Sequence, residues 1–98
     1  MHAFLIDPEA QTIEAIELGS RDELPSLIGY PTIESDSIGD SDLLFFDEEC
    51  FIRGLKGRFQ IDKLIPVAGK GVVVGADGDE LRDVAVDLEA LRARTKFQ

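Results

Sequence analysis

Apolar runs and polar breaks divide this chain into short extended pieces with two stretches of helical spacing. Ala3 to Ile6 reads as a buried strand closed by Asp7-Pro8. The segment from Glu9 to Leu18 fits two patterns. Asp7 can cap a helix with Pro8 at its first position and Glu9 complementing the dipole. The β-branched residues and near-alternation from Thr12 to Leu18 argue for a strand instead. Local signals leave both open.

Ser20 to Glu23 fits a capping box, and with Asp22 as the cap, Pro25 falls in the first helical turn, where no donor is lost. Leu24, Leu27 and Ile28 form one apolar stripe, and Gly29 with Pro31 ends it. Thr32 to Ile38 is a polar strand and Gly39 to Asp42 a turn. Leu43 to Phe46 is a buried strand, and Asp47-Glu48-Glu49 turns the chain again. Cys50 to Ile52 and Arg58 to Ile61 read as extended, with Gly54 and Gly57 breaking the chain between them. Val72-Val73-Val74 is the clearest strand, ended by Gly75. Asp77-Gly78 marks a turn, and Leu81 to Val86 suits a partner strand. Asp87 caps a helix from Leu88 to about Thr95, with Leu88, Leu91 and Thr95 inward and Arg92, Arg94 and Lys96 at its cation-favouring end. The expected fold is a single α+β domain over residues 1–98. It has an antiparallel or mixed sheet of about five strands, with two short helices packed on one face.

Nothing in the 98 residues approaches the roughly 20 apolar residues of a membrane span. The first residues lack the basic start and apolar run of a signal peptide. The lone Cys50 forms no internal disulfide, which suits a reducing compartment. The expectation is a cytoplasmic protein without membrane contact.

Charge changes the picture more. The net charge is −10, and it is segregated: residues 1–50 hold 13 acids and one base, Arg21, whereas residues 51–98 hold 7 acids and 9 bases. Between Pro31 and Cys50 lie seven acids and no base. Such a field repels phosphate backbones and attracts basic surfaces, so direct nucleic-acid binding is not expected. Solubility, or adaptation to salt, is the ordinary explanation of the same acids.

Candidate chemistry is sparse. Asp40 and Asp42 begin a D-x-D, but a calcium loop needs glycine at its sixth position, where Phe45 stands. Gly69-Lys70-Gly71 resembles a phosphate cradle, yet its glycines precede a strand instead of a helix. A kink into a sheet is the plainer reading. Cys50 follows three acids, which disfavour a thiolate, and His2 is the only histidine, at the terminus. One Cys and one His do not make a structural zinc site. Arg92, Arg94 and Lys96 complement the helix end. They could equally meet the acidic half of a second copy, giving a homodimer.

Three stretches carry a resemblance: Leu5-Ile6-Asp7-Pro8-Glu9-Ala10, Pro66 to Gly75, and Leu88 to Arg94 with Phe97. In this order the chain resembles a family of small domains of unknown function found in bacterial, plasmid and phage genomes. The resemblance implies a hairpin for residues 9–18 and an accessory, mobile-element role. It brings no reaction and no catalytic residues.

The expected function is therefore a non-enzymatic protein-binding module without cofactor or metal. Asp40, Asp42, Asp47, Glu48 and Glu49 would engage a basic protein surface. The alternative is a small anionic-ligand sequestering or sensing domain with its site near Gly69, Lys70 and Gly71.

Overall fold

The computed structural model describes residues 1–98. It is a mostly antiparallel β structure with two short helices, and its centre is the valine run. Nine strands form: β1 (His2–Asp7), β2 (Thr12–Glu17), β3 (Ile33–Ile38), β4 (Asp42–Asp47), β5 (Arg58–Ile61), β6 (Val67–Ala68), β7 (Gly71–Asp77), β8 (Glu80–Arg82) and β9 (Thr95–Phe97). The helices are α1 (Leu24–Ile28), entered through a 3-10 turn at Arg21–Glu23, and α2 (Leu88–Arg94).

The main sheet runs β2-β1-β7-β4-β3, with β8 as a sixth strand on β7. Gly75 pairs with both Asp42 of β4 and Arg82 of β8, so β8 occupies the β1 side of β7. Val84 N–H then donates to His2 O at 2.9 Å and continues that edge past the start of β1. Residues 9–18 form the hairpin strand, in register from His2↔Glu17 to Asp7↔Thr12. Asp7 Oδ1 accepts from the N–H groups of Glu9 and Ala10, so a carboxylate equally suited to capping a helix caps the hairpin turn instead.

Val72, Val73 and Val74 are all fully buried, so the central strand is covered on both faces. Alternation sends Val72 and Val74 one way with Ala3, Phe45 and Leu18, where Leu24 and Ile28 of α1 cover them. Val73 points the other way with Phe4, Ile6, Ile13 and Leu44, under Leu91 of α2 and the apolar side chains of a second sheet. That sheet has the order β6-β5-β9 and contributes Phe59, Ile61 and Val67.

Four expectations are corrected here. The strands number nine in two sheets, not about five in one, because residues 58–61, 67–68 and 95–97 pair with each other and not with the valine strand. The helices lie on opposite faces, because a strand buried on both sides needs cover on both. Residues 50–52 are not extended. Cys50 N–H and Ile52 N–H donate to Asp47 O and Glu49 O, both at 3.1 Å, in consecutive turns that drive Cys50 into the core. The β8 strand is also shorter than Leu81 to Val86, because the Asp42 carboxylate captures the amides of Ala85 and Val86.

Helix α2 begins where expected: Asp87 Oδ1 accepts from Ala90 N–H at 2.8 Å, and Leu91 is fully buried. Burying one leucine supplies about 1.5–3 kcal/mol, enough to hold a seven-residue helix that would be unstable alone. No helix of the protein is long and apolar enough to cross a membrane.

Candidate functional site

The seven acids of residues 34–49 all lie in or beside the β3–β4 hairpin, and the structure divides them by role. Asp42 and Asp47, expected on a binding surface, are buried instead. Asp42 accepts from Ala85 N–H at 2.8 Å and Val86 N–H at 3.0 Å, tying the chain ahead of α2 to the sheet. Asp47 accepts from the Thr32 hydroxyl, from Arg53 Nε, and from Glu49 N–H at 3.1 Å. Arg53 in turn stacks on Tyr30, 3.9 Å from the ring centroid. Burial pushes the Asp47 carboxyl up, but the Arg53 and Thr32 hydrogen bonds outweigh it and hold the group below the ordinary aspartate value. Both carboxylates fasten loops to the sheet and are unavailable to a partner.

The remaining acids do not form one face. Asp40 stands exposed in the turn at one end of the hairpin, and Glu48 and Glu49 lie past the other. At about 3.3 Å per residue, the six residues of β4 separate them by roughly 20 Å. Glu49 faces Arg53 at 3.7 Å, so its charge is partly answered. Glu48 has no cation. The neighbouring Glu34 carboxyl on β3 acts on it most strongly, and partial desolvation and the Glu49 and Asp47 charges add to this. Together they raise its pKa above the ordinary glutamate value. Register places Glu34 and Asp36 on one face of β3, opposite Phe46 and Leu44 of β4. The strand is a sheet edge. An edge lined by acids resists pairing with its own copies. Just beyond Glu48 and Glu49, Phe51 and Ile52 stand out from the consecutive turns, 49% and 80% exposed.

The second candidate, Gly69-Lys70-Gly71, divides too. Gly69 and Lys70 line a cavity of about 230 Å³ at the end of the sheet where β1 and β4 leave and β7 enters. Its other walls include Asp7, Tyr30, Asp47, Leu55 and Lys56. Gly71 belongs to β7 and is buried. A Cβ there would stand 2.7 Å from Phe59 Cζ and 3.0 Å from Leu44 Cδ1. This glycine serves the packing of the second sheet on the first, not a ligand. The cavity also contains Tyr30 and Lys56, which no motif marked, because they reach it from α1's far end and from the loop before β5.

Other expectations meet plain geometry. Cys50 is buried among apolar side chains, and His2 pairs with Glu17 at 2.6 Å on the opposite strand. Of the basic tail, Arg94 forks onto Asp62 and Arg92 pairs with Glu89 at 3.0 Å, which leaves Lys96. The Arg94 fork holds Asp62 below the ordinary aspartate value. Comparison with protein-family models, curated proteins and solved structures returned no match.

Proposed function

We propose that the protein is a non-enzymatic binding module that engages a basic partner surface through the β3 edge. One observation carries this reading: Glu34 pairs with Phe46 and Glu48 N–H donates to Thr32 O, so Glu34 and Glu48 are neighbours on the same face of an open sheet edge and neither makes an ion pair, with exposed Phe51 and Ile52 following in the chain. Holding two like charges together raises the free energy of the unbound protein, and a lysine or arginine from a partner would relieve it. Exposed aromatic and aliphatic side chains next to such a charge pair provide the apolar anchor that binding interfaces concentrate their energy on. The site is smaller than the sequence suggested: Glu34, Asp36 and Glu48 replace Asp42 and Asp47, and Asp40 lies outside it. The mobile-element resemblance fits an accessory protein of this kind, working in the cytoplasm and acting on a host component.

The test is affinity capture from cell lysate with wild type and with an E34K/E48K double variant, followed by measurement of the direct affinity for whatever basic protein is retained. Wild type should retain proteins that the double variant loses, with an affinity that falls as salt is added. Equal retention by both would end this reading.

A further inference from the structure

The main sheet ends at β3, and two hydrogen bonds fix the direction of its backbone groups. Glu48 N–H donates to Thr32 O at 2.8 Å, in step with the register that runs from Ile33↔Asp47 to Ile38↔Asp42. Bonded and non-bonded pairs alternate along an antiparallel ladder, so Glu34 and Asp36 bond to β4. On the far side of β4, Ala76 N–H donates to Ser41 O at 2.8 Å, in step with the β4–β7 register. The odd residues of β4 therefore bond to β7 and the even ones to β3, which is the same phase. Ser35 and Ser37 thus aim both N–H and C=O away from the sheet, and Ile33 aims its carbonyl the same way. The Ile33 N–H is taken by Pro31 O at 3.1 Å. No strand pairs with that side.

Proteins ordinarily blunt such an edge with proline, a bulge, a very short strand or a covering element. Here β3 has six residues, no proline and an unbroken register. Its one guard is acid: Glu34 and Asp36 share a face, and neither makes an ion pair. Carboxylates keep off a second copy of a chain whose net charge is −10, but they favour a basic strand. The opposite edge differs. In β2, Glu17 is answered by His2 and by the N-terminal amine, and α2 packs against the strand. The second face of β3 has another character. Ile33 and Ser35 line a groove shared with Leu24 and Pro25 of α1 and with Phe45, the residue paired with Ser35. Arg21 and Asp22 also reach it, with opposite charges.

We infer that β3 accepts an extended basic segment of a partner protein as a seventh strand of the main sheet. Lysine or arginine at alternate positions faces Glu34 and Asp36, and the apolar side chains between them face the groove. Main-chain bonds from Ser35 and Ser37 supply affinity, and the alternation supplies selectivity. This names the form of the partner and rests on the binding reading above.

The experiment uses the intact chain and two synthetic peptides of equal composition, both matched in length to β3. One alternates lysine and valine, and the other holds the same residues in two blocks. Binding is followed by amide NMR and hydrogen exchange. The alternating peptide should bind at least about tenfold more tightly and slow exchange at Ser35 and Ser37, with Glu34 and Asp36 little changed because β4 already holds them. S35P removes an outward N–H and spares the ladder, since an edge strand tolerates proline where its N–H faces solvent. It should keep the fold and bind the alternating peptide at least about tenfold more weakly. Should S35P fail to fold, exchange at Ser35 and Ser37 in the wild type decides alone. Equal binding of the two peptides, binding of neither, or binding without protection at Ser35 and Ser37 would each overturn strand addition. S35P leaves every acid in place, so the two readings separate: a basic partner lost by E34K/E48K but kept by S35P would end strand addition and leave the charged edge standing.

Discussion

Gly71 packs between the two sheets, whereas its glycine-rich sequence context suggests a ligand role, so its replacement by alanine is an informative perturbation. The position is extended strand with no positive φ, so alanine meets no backbone strain there. Limiting the unfolded chain's freedom would by itself stabilise the alanine form by about 0.4–1 kcal/mol. Against that stand two contacts. The new methyl would lie 2.7 Å from Phe59 Cζ and 3.0 Å from Leu44 Cδ1, where carbon pairs prefer roughly 3.5–4.0 Å. Phe59 is fully buried between the sheets and Leu44 nearly so, and neither can swing into solvent. Overpacking of this kind costs about 1–3 kcal/mol, so the clash wins and G71A should lose about 1–2 kcal/mol net. For a domain of this length the melting temperature should drop by roughly 4–15 °C. Urea unfolding followed by far-ultraviolet circular dichroism measures it, since the chain has no tryptophan and one tyrosine. The partner variant F59L shortens the side chain that is struck. It should destabilise the wild type yet recover part of the loss in the G71A background, a coupling that independent sites do not show. A G71A protein as stable as wild type, or a double variant that is merely additive, would refute the sheet-on-sheet contact.

Two more outcomes rest on the hydrogen bonds. D47N should lower the urea midpoint at pH 7. Because the folded pKa of Asp47 lies below its ordinary 3.8, its contribution is complete above that value and is lost as pH falls through the folded pKa. The gap between wild type and D47N should therefore close below about pH 3.8, and a gap that stays constant with pH would count against the Arg53 pairing. D87A removes the α2 cap and should cost about 1 kcal/mol, read from the same unfolding curves. D87N, which keeps an acceptor for Ala90 N–H, should cost less, and equal losses would rule out capping.

The elements nearest the valine strand were legible because their signals are local. Hydrophobic runs mark β1, β4 and β7, Asp77-Gly78 marks the β7–β8 hairpin, and Asp87 marks the start of α2. The second sheet was not legible for a physical reason. Its strands are four, two and three residues long, too short for alternation to register. They are held by partners up to 38 residues away, as in Phe59↔Phe97. Thr95 reads as the last residue of a helix, and its hydroxyl does donate to Leu91 O at 2.7 Å. Its backbone is already extended and paired with Ile61.

The acids show the same limit from the other side. Composition reports how many carboxylates the chain has, and burial decides what each one does. Asp42 and Asp47 bracket β4, and both side chains turn inward because loops pass within reach carrying donors: the amides of Ala85 and Val86 at one end, Arg53 and Thr32 at the other. A carboxylate flanking an apolar strand in sequence is therefore as suited to fastening the next loop as to facing a partner. The charge that remains outward is what no internal donor claims. In this hairpin that leaves Glu34, Asp36, Asp40 and Glu48 without an ion pair, whereas the longest acidic run, Asp47-Glu48-Glu49, has a buried first member and a last member answered by Arg53.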